Sequence, residues 1–227
     1  VTPLNGYKAI LFDLDGVILD SMGHHADLWE EVLADEGLRV SRDFILEHEG
    51  ALGAEVLVKF MREAGLDQAE PVDMGQRMSA MLNRQARRYI QERAAMVRPF
   101  PDALRMISAL AASGTPSALV TSSRREVVAG CLPDELGRYF TAMVTADDVP
   151  RHKPHPDPYL RGAAALGLEA SACLVVENAP AGIAAARAAG AACFAVTTTL
   201  PAGRLSQADQ VFSSLEDIAR HLGLDLR

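Results

Sequence analysis

The sequence predicts an α/β protein: a Rossmann-like parallel sheet core with helices on both faces and an inserted α-helical cap domain. Three observations predict it. Short apolar runs recur, each closing on polar or small residues, and alanine-rich segments with helical spacing separate them. One long stretch near the N-terminus breaks this rhythm with helical patterns alone. The 227 residues suit one core domain plus a modest second one, enough to bury a substantial apolar interior.

The strand candidates are 9–12, 117–120, 142–144, 173–176 and 193–196, with a weaker one at 210–212. Helical spacing marks 102–112, 156–166 and 181–189 between them. Gly114, Gly167 and Gly190 each follow a helix, where a left-handed residue is wanted, and Pro101 and Pro156 fall near first turns, where a missing N–H costs little. From 21 to 98 no strand is expected. Helical patterns run through 25–36, 42–48, 52–64 and 73–95 instead. Met74, Met78, Met81 and Leu82 form one stripe of the last, read as helix core, as is Trp29. Arg84, Arg87, Arg88 and Arg93 form a solvated face that could also draw anions inward. With linkers at 17–20 and 97–99, residues 1–17 and 98–227 make the catalytic core and 18–97 the helical cap.

Thirty acidic against 22 basic residues leave a net charge of −8, a poor match to nucleic acid or an anionic membrane surface. Three widely spaced cysteines without a Cys-x-x-Cys pair argue against a disulfide framework or a structural zinc, and fit a reducing compartment. Cys173 and Cys193 sit in apolar runs as small hydrophobes. No basic segment followed by an apolar stretch opens the chain, so no signal peptide is expected. No apolar run approaches the ~20 residues that span a bilayer. The expectation is a cytoplasmic protein, a monomer or weak homodimer, with neither nucleic acid nor membrane as partner.

The strongest chemical signal is the run from Ile10 to Val17, where an apolar strand ends in Asp13 and Asp15, one residue apart, and then Gly16. Functional groups gather at the carboxyl ends of parallel strands, and strand alternation sends the two acids to one side. Two such carboxylates repel unless a cation lies between them, and their oxygens suit Mg²⁺ with a substrate phosphate. Read alone, Asp-x-Asp-Gly is equally a surface turn. Three further strand ends carry reactive groups. Thr121 and Ser122 offer hydroxyls and backbone N–H groups for phosphate oxygens. Lys153 lies among turn residues ahead of a helix, where a fixed cation can neutralise a phosphate. Glu177 and Asn178 end another strand with two oxygen donors, although Asn178 read alone is also an ordinary helix cap.

The segments DLDGVILDS, VTSS, HKPHPDPYL and VVENAPAGIAAARAAG together resemble the haloacid dehalogenase superfamily of phosphohydrolases. The resemblance covers nearly the whole chain and is strongest to the branch of β-phosphoglucomutases and small-molecule phosphatases with a helical cap. It implies that Asp13 attacks phosphorus and forms an aspartyl-phosphate, while Asp15 protonates the leaving group and later activates water. It implies Thr121 and Ser122 on the phosphoryl oxygens, and Lys153 balancing charge near Asp13. Mg²⁺ is the implied cofactor, held by Asp13, the Asp15 backbone, Asn178 and, directly or through water, Glu177. The implied substrate is a small phosphorylated metabolite.

The chain departs from that pattern in three places. Many relatives have Glu-Asp where Glu177 and Asn178 stand, so one charge is missing from the site. Glu49 is a candidate replacement, because the segment around it resembles an inorganic pyrophosphatase whose cap glutamate reaches the metal. Pyrophosphate therefore joins the expected substrates. The cap turn lacks the arginine that phosphoglucomutase-like members carry, which makes a mutase the alternative and not the first reading. His25 matches a position common in this branch and is expected to bridge cap and core or help move a proton.

Overall fold

The structure, a computed structural model, describes residues 4–48, 58, 59, 62 and 71–226. Six strands form one wholly parallel sheet: β1 (Ala9–Phe12), β2 (Ser117–Val120), β3 (Ala142–Val144), β4 (Cys173–Glu177), β5 (Ala192–Val196) and β6 (Gln210–Phe212). Their order is β3-β2-β1-β4-β5-β6. The chain winds outward from β1 through β2 to β3, then resumes on the other side of β1 with β4. Such a reversal opens a crevice at the carboxyl ends of the strands that flank it.

Side-chain alternation along β1 assigns the two faces. Ile10 and Phe12 share one apolar cluster with Met106, Ile107 and Leu110 of α4 (Pro101–Ala112) and Leu215 and Ile218 of α9 (Leu215–His221). Ala9 and Leu11 pack on the other face with Tyr159 and Ala163 of α7 (Asp157–Ala165) and Ile183 and Ala186 of α8 (Pro180–Ala188). The strands between them are buried on both sides, as their unbroken apolar runs require. Short α5 (Arg125–Cys131) and α6 (Asp134–Gly137) join β2 to β3. All three cysteines are free and buried.

Between β1 and α4 the described residues hold α1 (Met22–Asp35), α2 (Arg42–His48) and α3 (Pro71–Arg88), with no strand among them. The segment read as helical at 52–64 lies almost wholly outside the described residues. Trp29, Val32 and Leu33 of α1 are buried with Ile45 of α2 and Met81 of α3. The side chains of Met74 and Met78 lie outside those described. The expected single helix 73–95 instead stops at Arg88, widens into a π-helical turn at Tyr89–Arg93 and tightens into a 3-10 turn at Ala94–Met96. The arginine face is largely spoken for. Arg84 pairs with Glu36 at 2.8 Å, Arg93 with Glu31 at 2.8 Å, and Arg88 also reaches Glu31. These pairs seam α3 and its extension to α1. The helices leave and rejoin the sheet along a paired neck, where the Asp20 N–H donates to the Arg98 carbonyl and the Phe100 N–H to the Ile18 carbonyl, both at 2.9 Å.

Candidate active site

The crevice beyond β1 holds a cavity of about 60 Å³ lined by Asp13, Asp15, Thr121, Ser122 and Asn178 from the strand ends. Ser123, Arg124, Val127 and Ala179 complete its floor, and Met22, His25, Leu82, Gln85 and Ala86 close it from the inserted helices.

Asp13 directly follows β1 and its N–H donates to the Val176 carbonyl at 3.0 Å, which ties it to β4. Lys153 comes in beneath it. The ammonium, on a side chain only 1% exposed, donates to Asp13 Oδ1 at 2.6 Å, Glu177 Oε1 at 2.7 Å and the Val120 carbonyl at 3.1 Å. Burial alone would lower its pKa, but the Asp13 and Glu177 charges outweigh that and raise it, so Lys153 is a fixed cation. Burial pushes the Asp13 carboxyl up to about 7; Lys153 opposes the rise, while Glu177 and Asp15 add to it.

Glu177 is not among the residues that line the cavity and lies behind Lys153. Its Oε1 accepts from Lys153 and from the Tyr159 hydroxyl at 2.7 Å, and its Oε2 from the N–H groups of Asn178 at 2.9 Å and Ala179 at 3.2 Å. Four donors saturate the carboxylate, and the residue is 1% exposed. The reason is local. Glu177 is the last residue of β4 and Asn178 the next, so in an extended chain their side chains leave in opposite directions. Gly182 makes room, since a Cβ there would stand 1.7 Å from Glu177 Oε1.

Asp15 faces the cavity within a ring of donors. Its Oδ1 accepts from the Ser21 hydroxyl at 2.7 Å and pairs with His25 Nε2 at 3.2 Å, and its Oδ2 accepts from the Ser123 hydroxyl at 2.8 Å. Burial raises the carboxyl, but the His25 ring and these hydrogen bonds prevail and bring it down to about 2. This arrangement describes a carboxylate, the form that takes a proton. His25 is clamped in turn. Its ring stacks on Tyr89 of the π-helical turn with centroids 4.0 Å apart, and Gln85 Nε2 lies 3.1 Å from its Nδ1. It thus spans the inserted helices and the strand end. Thr121 Oγ1 accepts from the Ser123 N–H at 2.9 Å, which curls this loop at the edge of the cavity.

The donor set fits a hard divalent cation. Asn178 Oδ1 is buried and has no hydrogen-bond partner, a costly state for an amide carbonyl unless a cation meets it. Asp13 and Asp15 share its cavity, and oxygen is the only donor element they offer. Among the described residues no group of three or more His, Cys, Asp and Glu side chains is assembled for a metal. Glu49 lies outside the described residues.

Sequence reasoning missed Ser21, Ser123, Gln85 and Tyr159. Tyr159 stands in the quoted HPDPYL run one turn beyond Pro156, but a tyrosine at helical spacing reads as core. Only the fold shows that its hydroxyl reaches Glu177.

Two strand-end acids, a buried lysine and a hydroxyl loop over a parallel sheet define a class of hydrolase. The sequence profile of haloacid dehalogenase-like hydrolases matches residues 10–196, so the chain belongs to that family of enzymes. The chain is 34% identical over 217 residues to hexitol phosphatase A of Escherichia coli, covering 93% of each chain. It is 32% identical to the fructose-1-phosphate phosphatase YqaB of E. coli, over 81% of this chain and 93% of that one. A hydrolase from Pseudomonas syringae superposes with a TM-score of 0.82 over 96% of this chain and 98% of its own, at 24% identity, a likeness of fold. Among the described residues no helix is long and apolar enough to cross a membrane.

Proposed function

We propose that the chain is a Mg²⁺-dependent phosphatase that hydrolyses the phosphate monoester of a small sugar or polyol through an aspartyl-phosphate on Asp13. The observation that carries this reading is the juxtaposition of Asp13, its Lys153 counter-charge and the orphaned Asn178 carbonyl in one cavity. Lys153 occupies Asp13 Oδ1, which leaves Oδ2 to attack phosphorus as the bond to the ester oxygen breaks. Asp15, a carboxylate in the free site, takes a proton from solvent as the substrate binds and gives that proton to the departing oxygen. Asp15, now a carboxylate, takes a proton from water as that water attacks the acyl phosphate, releasing orthophosphate and restoring Asp13. Thr121 and Ser122 orient the transferring oxygens, and Lys153 holds charge balance without reorganisation. Bound Mg²⁺ supplies charge neutralisation at the phosphoryl group, with Asp13, the Asp15 main chain and Asn178 as its holders and Glu49 as a further candidate.

The inserted segment 18–97 acts on this reading as a cap, contributing His25, Leu82 and Gln85 to a core of 1–17 and 98–227. Among the described residues the cap side of the cavity carries Met22, Leu82 and Ala86 beside the polar His25 and Gln85. The preference for a sugar or polyol monoester follows the two phosphatases named above.

The test is orthophosphate release from hexitol, ketose and glycolate monophosphates and pyrophosphate, with Mg²⁺ or with chelator. The expected result is Mg²⁺-dependent release, fastest from a hexitol or ketose phosphate. Fastest turnover of pyrophosphate would move the substrate assignment, and isomerised sugar phosphate without release would favour a mutase. Release unaffected by chelator would reject the metal.

A further inference from the structure

We propose that Thr199 is a positioning residue that orients the Asn178 amide so that its carbonyl faces the cation. The inference rests on the metal reading above. An aspartate at position 178 would present an oxygen whichever way it turned. An asparagine has two faces of nearly equal shape, one an acceptor and one a donor of two N–H groups, and the donor face repels a cation. The cation selects the carbonyl face, and Thr199 supplies the acceptor that satisfies the NH₂ group turned away from it. Asn178 Nδ2 donates to Thr199 Oγ1 at 2.8 Å, while Oδ1 is left buried and unpartnered beside Asp13 and Asp15.

The backbone keeps that orientation possible. Gly16 has φ +81, and a Cβ there would lie 2.1 Å from Asn178 Nδ2 and 2.8 Å from Thr199 Oγ1. The glycine thus leaves room for the NH₂ group and its acceptor. The neighbouring Thr198 hydroxyl donates to the Gly16 carbonyl, so the loop after β5 ties itself to both sides of the amide. Without the Thr199 hydroxyl, the buried Nδ2 loses its acceptor and the amide swings away to find another, taking the carbonyl out of the site. Thr199 touches no reacting atom. It acts through Asn178.

The experiment is titration of the protein with Mg²⁺ alone, read as the rise in melting temperature, so that no turnover enters the measurement. Thr199→Val should weaken the apparent Mg²⁺ affinity about tenfold, Thr199→Ala should do the same in case valine disturbs folding, and Thr199→Ser should stay within about twofold. In an Asn178→Asp background, Thr199→Val should change affinity by no more than about twofold, because a carboxylate needs no orienting. Unchanged Mg²⁺ affinity in Thr199→Val and Thr199→Ala overturns the proposal, and so does an equal loss in the aspartate background. A wild-type protein whose melting temperature ignores Mg²⁺ overturns the metal reading itself, a result distinct from either.

Discussion

Replacing Lys153 with methionine keeps the aliphatic stem and deletes one buried charge. The ammonium stands 2.6 Å from Asp13 and 2.7 Å from Glu177, on a side chain 1% exposed. Breaking one buried pair costs about 3–5 kcal/mol, and here two carboxylates lose their counter-ion, so the expectation lies near 5 kcal/mol at neutral pH. That is a large share of the ~5–15 kcal/mol that holds a domain folded. The penalty must depend on pH. A carboxyl whose folded pKa stands above its unfolded value destabilises the fold at high pH, and the cost disappears as pH falls to the unfolded value. Burial already pushes Asp13 from 3.8 up to about 7 with Lys153 present, and removing Lys153 removes what opposes that rise. The variant should therefore recover stability on acidification from about 7 toward 3.8. Urea unfolding followed by circular dichroism at about pH 8 and about pH 5 measures both quantities. A penalty under about 1 kcal/mol, or one equal at both pH values, would refute the view of Lys153 as the counter-ion of two buried acids.

Asp13→Ala should lower orthophosphate release by at least about 10⁴-fold with an unchanged far-UV spectrum; retained turnover would remove Asp13 as nucleophile. The Asp15 carboxyl sits at about 2 against an ordinary 3.8, because the His25 ring and its hydroxyl donors overcome burial. That contributes about 2 kcal/mol, present above 3.8 and lost as pH falls through about 2. The stability gap between wild type and Asp15→Asn should close across that window in acid titrations, and a gap independent of pH would contradict the ring of donors. Gly182→Ala drives a Cβ into Glu177 Oε1 and should cost about 3 kcal/mol in the urea midpoint by dislodging the carboxylate from Lys153. An unshifted midpoint would show that the helix yields instead.

The sheet was legible because β1, β2 and β4 are doubly buried apolar runs that end abruptly, while the edge strands β3 and β6 are short and only partly buried. Residues 9–12, 117–120, 142–144 and 210–212 match β1, β2, β3 and β6, while β4 gains Glu177 and β5 gains Ala192. The helices at 125–131 and 134–137 went unread because they are too short for periodicity to speak. The helix at 215–221 carried a readable signal, Ser214 three residues before Asp217, whose N–H donates to the serine hydroxyl at 3.1 Å. The strand-end groups stood out because acids, a lysine and an asparagine punctuate apolar sequence. Their supports did not. Ser21, Ser123, Gln85 and Thr199 are ordinary polar residues whose use depends on contacts across 6 to 108 positions of chain. The direction of Glu177 was legible in principle from strand alternation, since it and Asn178 cannot both face one cavity. The π-helical turn that brings Tyr89 onto His25 has no signature in residue spacing.

The paired neck carries an evolutionary consequence. Chain departs and returns within a few ångströms, joined by two backbone hydrogen bonds that any residue types can form. Everything between them is a cassette. It can lengthen, shrink or be rebuilt wholesale while Asp13 and Asn178 at strand ends, and Lys153 in the turn before α7, keep their spacing outside it. A lineage built this way explores new substrates by remodelling the roof, without ever dismantling the furnace beneath.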